Sequence, residues 1–86
     1  MYKVNKKILQ TPVEQGKILL LEPENGLYFE MNEVAVLIYQ GIEEGLTQSE
    51  MVAKIVKQYD VEESVAKIDL KAHLSTLLTQ NIILKA

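Results

Sequence analysis

The spacing of apolar and polar residues changes near Asn32, and this change divides the chain into two parts. Before Asn32, short apolar or alternating runs lie between turn-forming residues, a pattern typical of β-strands. After it, apolar residues recur every three or four positions, which is typical of amphipathic helices. The sequence therefore predicts an α+β fold in which strands come first and helices follow.

Three strands are predicted in the first part, joined by tight turns. They are Ile8–Thr11, Lys17–Glu22 and Leu27–Met31. The first ends at Pro12, which has no amide hydrogen, and a turn is expected over 13–16. Pro23–Gly26 predicts the second turn, since proline fixes φ and Asn-Gly accepts positive φ. Such strands form an antiparallel meander with the third strand at an edge.

The third strand alternates Leu27, Phe29 and Met31 with Tyr28 and Glu30. It carries only one charge and no proline, whereas charged residues and prolines usually protect an edge strand from unwanted pairing. Either another part of the protein covers this edge or a partner does.

Three helices are predicted in the second part. Their expected N-caps are Asn32, Thr47 and Asp60. Thr47 and Glu50 have the spacing of a capping box, and Gly45 favours the end of the first helix. The third helix is predicted to run to about Gln80, and an apolar tail, 82–84, is expected to pack back on the body.

The third helix carries two apolar stripes, where a surface helix normally needs one. One stripe consists of Ala66, Leu70, Leu74, Leu77 and Leu78; the other consists of Val65, Ile68 and Ala72, beside Thr79. Asp69 and His73 form a polar border. Two interpretations remain open: the helix is sandwiched between other elements, or the second stripe lines a groove beside the strand edge.

Composition narrows the function. The 86 residues include no cysteine and a single histidine, so neither a thiolate site nor a histidine pair is available. No nucleophile–base pair or phosphate loop is visible, which makes an independent enzyme the least favoured class, and no cofactor or metal is expected. Neither a membrane-spanning run nor a signal peptide is present, so we expect a cytoplasmic protein with no membrane partner.

A winged-helix nucleic-acid binder is the alternative function, with the third helix as reader. All nine basic residues are lysine, and the net charge is −3. Base recognition depends heavily on arginine, and the reader candidates Lys67, Lys71 and Ser75 lie among acidic neighbours. A nucleic-acid partner is therefore not expected.

The order of several short motifs resembles the PqqD-like family, the recognition elements of ribosomally made, post-translationally modified peptides (RiPPs). The matching segments are Gly16–Leu21, Tyr28–Asn32 followed by Val34-Ala35, Gly45–Thr47, Tyr59, and Asp69-Leu70 with Leu74, Leu77 and Leu78. The resemblance covers nearly the whole chain. Met31, Leu70 and Asn81 depart from the usual leucine, valine and glycine.

The resemblance implies a winged-helix-like domain over residues 1–86, with three strands and three helices. It also implies that the leader segment of a precursor peptide adds as a strand to the third strand and faces the third helix. Placed by position, the peptide-binding residues are Leu27, Tyr28, Phe29, Glu30, Met31, Val65, Ile68, Asp69 and Ala72, with Asp69 or Lys71 reading charge. A stand-alone protein is expected, serving a radical-SAM modifying enzyme or a leader peptidase.

Overall fold

The computed structural model describes residues 2–14, 17–24 and 26–86, and it places a three-stranded antiparallel sheet ahead of three helices. In chain order the elements are β1 (Tyr2–Val4), β2 (Leu9–Glu14), β3 (Lys17–Glu22), β4 (Leu27–Met31), α1 (Glu33–Glu44), α2 (Gln48–Tyr59), α3 (Glu63–Thr79) and β5 (Ile83–Lys85). The predicted α+β architecture is confirmed. In these ranges no helix combines the length and the apolar character needed to cross a bilayer.

The main sheet has the order β2-β3-β4, as the meander requires. Leu20 of the central strand pairs with Phe29 and is fully buried, because the helices cover this face of the sheet. β2, which corresponds to the first predicted strand, is longer than predicted. It continues past Pro12 to Glu14, with a register shift between these two residues. Only part of the predicted 13–16 turn can be compared, since 15 and 16 lie outside the described residues.

The first two helices begin where the sequence predicts. The Asn32 side chain accepts a hydrogen bond from the Ala35 N–H at 2.9 Å. At α2 the Thr47 hydroxyl accepts from the Glu50 N–H at 3.1 Å, and the Glu50 carboxylate accepts from the Thr47 N–H at 2.9 Å. Gly45 ends α1 with φ of 78°, a conformation that costs glycine little.

The predicted cap of the third helix is wrong. Asp60 ends α2 in the left-handed conformation (φ 52°, ψ 47°), with its N–H donating to the Val56 carbonyl. Aspartate tolerates this region better than most residues, so it serves as the end of one helix rather than the start of the next. The N-cap of α3 is Glu62, whose side chain makes no capping hydrogen bond.

The C-terminal tail packs back on the body as expected and also forms a small sheet that the sequence analysis missed. β5 pairs antiparallel with β1, with Val4 opposite Ile83. Ile82 and Ile83 are buried. The Asn5 side chain donates to the Asn81 carbonyl at 2.8 Å, which ties the two ends of the chain together.

The core lies between the inner face of the main sheet and the three helices. Its largest fully buried side chains are Tyr39, Leu20, Ile38, Met51, Ile55, Ile82 and Ile83. The Tyr39 hydroxyl accepts a hydrogen bond from the Gln10 side chain at 3.3 Å, so its polar end is paired inside the core. Burial, with the negative charge of Glu43, raises the pKa of Tyr39.

Candidate functional site

The outer edge of β4 is the first component of the candidate site. Within the described ranges β4 pairs with β3 alone, as its predicted edge position requires. Half of the backbone N–H and C=O groups of an antiparallel edge strand point away from its only neighbour. An extended peptide alongside β4 would therefore find a row of donors and acceptors.

The opposite edge of the sheet, formed by β2, is protected by its sequence. Pro12 lies in this strand and cannot donate a backbone hydrogen bond, and the register shift up to Glu14 distorts the strand locally. Proline and bulges are the features that prevent pairing at sheet edges. β4 contains neither, since all five of its residues pair in regular register with β3.

The side chains of β4 alternate between the two faces of the sheet. Met31 is buried and Phe29 is half-buried on the helix side. Tyr28 is exposed and lies opposite Leu21. Glu30 lies 3.8 Å from the Lys17 ammonium in an exposed ion pair. The helix-facing side chains of β4 thus form one wall of a cleft, and Tyr28 and Glu30 contribute chiefly their backbone.

The second apolar stripe of α3 lies in solvent, which excludes the interpretation that this helix is sandwiched between other elements. Val65 is 43% exposed and Ile68 69% exposed, and Ala72 is exposed as well. The first stripe is in the core, with Leu70 and Leu74 at 2% and 4%. The helix is therefore not sandwiched, and its second stripe is free for a ligand.

A small cleft of ≈ 140 Å³ lies between β4 and the C-terminal half of α3. From β4 and the residue after it come Phe29, Glu30, Met31 and Asn32; from α3 and its C-cap come His73, Thr76, Leu77 and Gln80. The cleft has an apolar floor at Met31 and Leu77, both buried, and a polar rim along the helix.

His73 is the predicted border residue that reaches this cleft. Its Nδ1 lies 2.9 Å from the carbonyl oxygen of Asp69. A carbonyl can only accept, so this contact assigns a hydrogen to Nδ1, and Nε2 is then an acceptor in the neutral ring. The Thr76 hydroxyl donates to the Ala72 carbonyl at 3.1 Å in the same way. The rim is therefore rich in acceptors, and the Asp69 carboxylate extends it along the helix.

The predicted site residues separate into two groups. Those on β4 lie where they were expected, with three of them lining the cleft. Val65, Ile68, Asp69 and Ala72 are exposed on α3 but do not line it. The sequence analysis missed Thr76 and Gln80. Extending the border from Asp69 and His73 by the helical period would have found both, since 69, 73, 76 and 80 share one face.

Lys71 lies on the other flank of α3, away from β4, and lines a groove between α2 and α3 with Lys67 and Ser75. This position does not suit a reader of charge in the β4 cleft. Lys67 also forms an exposed ion pair with Glu63 at 3.2 Å. Among the residues that the structure describes, no group of three or more His, Cys, Asp or Glu side chains is placed to hold a metal ion.

Comparison with known proteins identifies a family. The model of the family described as coenzyme PQQ synthesis protein D (PqqD) matches residues 17–83, which spans β3 through the start of β5. No curated protein matches the chain significantly.

Two solved structures share the fold. One is TbiB1 in complex with the TbiA(beta) leader peptide, with a TM-score of 0.86 at 24% identity over 98% of this chain and 96% of that one. The other is lasso peptide synthetase B1 complexed with the leader peptide, with a TM-score of 0.87 at 24% identity over 98% of both chains. Likeness at this identity shows a common fold.

Proposed function

The chain belongs to the PqqD family, and we propose that it binds the leader segment of a ribosomal precursor peptide and presents it to the enzyme that modifies or cleaves that peptide. The observation that carries this proposal is the open, regular edge of β4 together with the cleft between this strand and α3. The two proteins of the same fold were both solved with a leader peptide, which supports it. Residues 1–86 act in this proposal as a single peptide-binding domain.

Binding proceeds by strand addition. The leader extends the sheet as a further strand, so that its backbone pairs with Leu27–Met31 and affinity depends little on leader sequence. The entropy lost on ordering a peptide of about ten residues offsets much of the free energy gained from these contacts. We therefore expect a dissociation constant near micromolar, which corresponds to a binding free energy of about −8 kcal/mol.

Specificity comes from side chains that the added strand directs toward α3. Ile68 and Ala72 provide apolar contacts, and Val65 extends them toward the start of the helix. Asp69 and His73 present acceptors along the border. We infer that this leader carries apolar residues alternating with at least one donor or positively charged residue, since a carboxylate left unpaired on binding would cost free energy.

The test is a titration of the ¹⁵N-labelled protein with the leader of the precursor encoded beside it, unmodified and N-methylated at one backbone position at a time. Strand addition uses every second peptide N–H as donor, so N-methylation should weaken binding at alternate positions only. Amide shifts should concentrate in β4 and α3. The protected β2 edge of the same sheet is the internal control and should not shift.

Two results would overturn the proposal. One is the absence of binding at tens of micromolar protein and peptide, well above the dissociation constant expected. The other is an N-methyl scan without alternation, which would indicate a ligand bound as a helix or through side chains alone.

The enzyme that receives the leader is a prediction of its own. We propose a radical-SAM modifying enzyme, as the sequence resemblance implies, and a leader peptidase is the alternative. We propose a binding role for this chain and place the chemistry on that partner. Co-purification of the protein with the enzyme encoded beside it, with and without leader, distinguishes the two partners.

A further inference from the structure

A second groove runs along the flank of α3 that faces away from β4. A cavity of ≈ 550 Å³ lies between the start of α2 and α3, with an apolar floor of Val52, Leu70, Leu74 and Leu78. A neighbouring cavity of ≈ 250 Å³ is lined by Ile42, Leu46 and Met51. Tyr2 and Gln48 line both cavities, so the two are adjacent.

The charge around this groove is opposite in sign to that of the whole protein. Lys67 and Lys71 lie along it, and none of the residues that line either cavity is acidic, although the chain contains twelve acidic residues and has a net charge of −3. Lys67 forms an ion pair with Glu63, whereas Lys71 forms no ion pair within the described part of the chain. By contrast, the groove between α1 and α2 is lined by Glu33 and Glu44 as well as by Lys54 and Lys57, so charges of both signs surround it.

An apolar floor with a lysine rim matches one kind of ligand, an amphipathic helix with an apolar stripe and acidic flanks. Such a helix presents apolar side chains every three or four residues, so successive anchors would enter the two adjacent cavities. A nucleic-acid backbone would use the two lysines but not the floor, and the chain has no arginine to read bases.

We propose that the groove between α2 and α3 docks an acidic amphipathic helix of a protein partner. The groove and the β4 cleft lie on opposite flanks of α3, so both can be occupied at once. Docking here does not depend on what β4 binds.

The experiment uses the ¹⁵N-labelled full chain and two synthetic peptides of about 14 residues, or roughly four helical turns. Both peptides carry the same leucine stripe at helical spacing, one with glutamate and the other with lysine on the flanking positions. We expect the acidic peptide to shift the amides of Ser49, Lys67, Lys71 and Ser75 while β4 stays unchanged. The basic peptide should bind at least about tenfold more weakly, and added salt should reduce the difference.

Charge reversal supplies the matched variants. Lys71→Glu should weaken binding of the acidic peptide about fivefold to tenfold and strengthen binding of the basic one. Lys57→Glu, on the exposed face of α2 outside this groove, should change neither. Both exchanges are at exposed positions, and the dispersion of the amide spectrum checks that each variant is folded.

Four outcomes would overturn the proposal. The first is the absence of any shift with about 1 mM acidic peptide, and the second is a set of shifts confined to β4, which would mean that the leucine stripe binds the open strand edge instead. The third is a shift of the groove amides when a DNA duplex replaces the acidic peptide. The fourth is a shift of the same amides on dilution of the protein alone, which would assign the groove to a second copy of the chain.

Discussion

The helices α2 and α3 lie side by side in this small fold, yet they are built differently. α2 buries Met51, Val52 and Ile55, and its exposed positions are mainly polar or small. Its start carries a complete capping box. α3 is longer, begins without a side-chain cap and has a second apolar stripe in solvent.

The difference separates stability from binding. Local sequence and core packing account for nearly every residue of α2. In α3 the buried stripe already anchors the helix. Core packing therefore does not explain why the exposed positions 65 and 68 carry the apolar residues Val65 and Ile68. Exposed apolar residues in a continuous stripe are typical of interaction sites. We therefore expect the two helices to respond alike to mutation at buried positions and differently at exposed ones.

The largest expected effect is at the buried stripe of α3. Leu74→Ala should lower the free energy of unfolding by about 2–5 kcal/mol, because it removes a side chain that is 4% exposed and leaves a cavity. Ile55→Ala in α2 should cost a similar amount, since Ile55 is equally buried. Urea denaturation followed by circular dichroism measures both. A loss below about 1 kcal/mol at Leu74 would mean that this stripe does not anchor the helix.

The exposed stripe should respond in the opposite way. Ile68→Ser removes an apolar contact of the proposed leader site, and we expect binding to weaken about tenfold, or about 1.4 kcal/mol. Stability should change by less than about 0.5 kcal/mol, because the side chain is in solvent and the two residues have similar helix propensity. Isothermal titration with the leader and urea denaturation measure the two quantities.

The control for this exchange is Ala53→Ser on the exposed face of α2, which should leave binding unchanged and cost no more than about 0.5 kcal/mol of stability, because serine is a weaker helix former than alanine. Equal loss of leader affinity in both variants would contradict the assignment of the stripe, and so would a large loss of stability in Ile68→Ser.

Most of the fold could be predicted because it is specified locally. Turn residues, helix caps and the change of apolar period lie close together in sequence. From β3 to the start of α2 the structure confirms the predicted strands and the caps at Asn32, Gly45 and Thr47. The β1–β5 sheet could not be predicted, because three-residue strands carry little pattern and Val4 pairs with a residue at the other end of the chain. Asp60 was wrongly predicted as an N-cap because aspartate suits both the start and the end of a helix.

The candidate site was predicted in part for a similar reason. The edge of β4 and the second stripe of α3 are visible in the alternation and period of the sequence. Which turn of α3 faces β4 depends on how the helix is positioned against the sheet, and that is decided by long-range packing. The cleft therefore lies beside Thr76 and Gln80, about two turns further along the helix than the predicted Ile68 and Asp69.

A smaller effect is expected at the uncapped start of α3. Glu62 has the extended backbone of an N-cap (φ −67°, ψ 150°), but its side chain makes no capping bond. Glu62→Asp keeps the charge and supplies a carboxylate of the right length, so it should stabilise the protein by about 0.5–1 kcal/mol. Thermal denaturation measures the gain, and leader affinity should not change. Glu62→Gln is the control and should give no gain; a gain in both variants would contradict capping as the cause.

The smallest expected effect is at the start of α2 and depends on pH. The Glu50 carboxylate accepts the Thr47 backbone N–H, and this hydrogen bond, together with that of the Thr47 side chain, holds the pKa of Glu50 below its usual value. A carboxyl whose pKa is lower in the folded state stabilises the protein above its unfolded pKa and loses that contribution as pH falls through its folded pKa. Glu50→Gln keeps the acceptor but not the charge. Its melting temperature should therefore lie slightly below that of the unmodified protein at neutral pH and converge with it in acid. The difference is small because Glu50 is exposed. A difference that stays constant from neutral to acidic pH would show that the ionised carboxylate does not strengthen this cap.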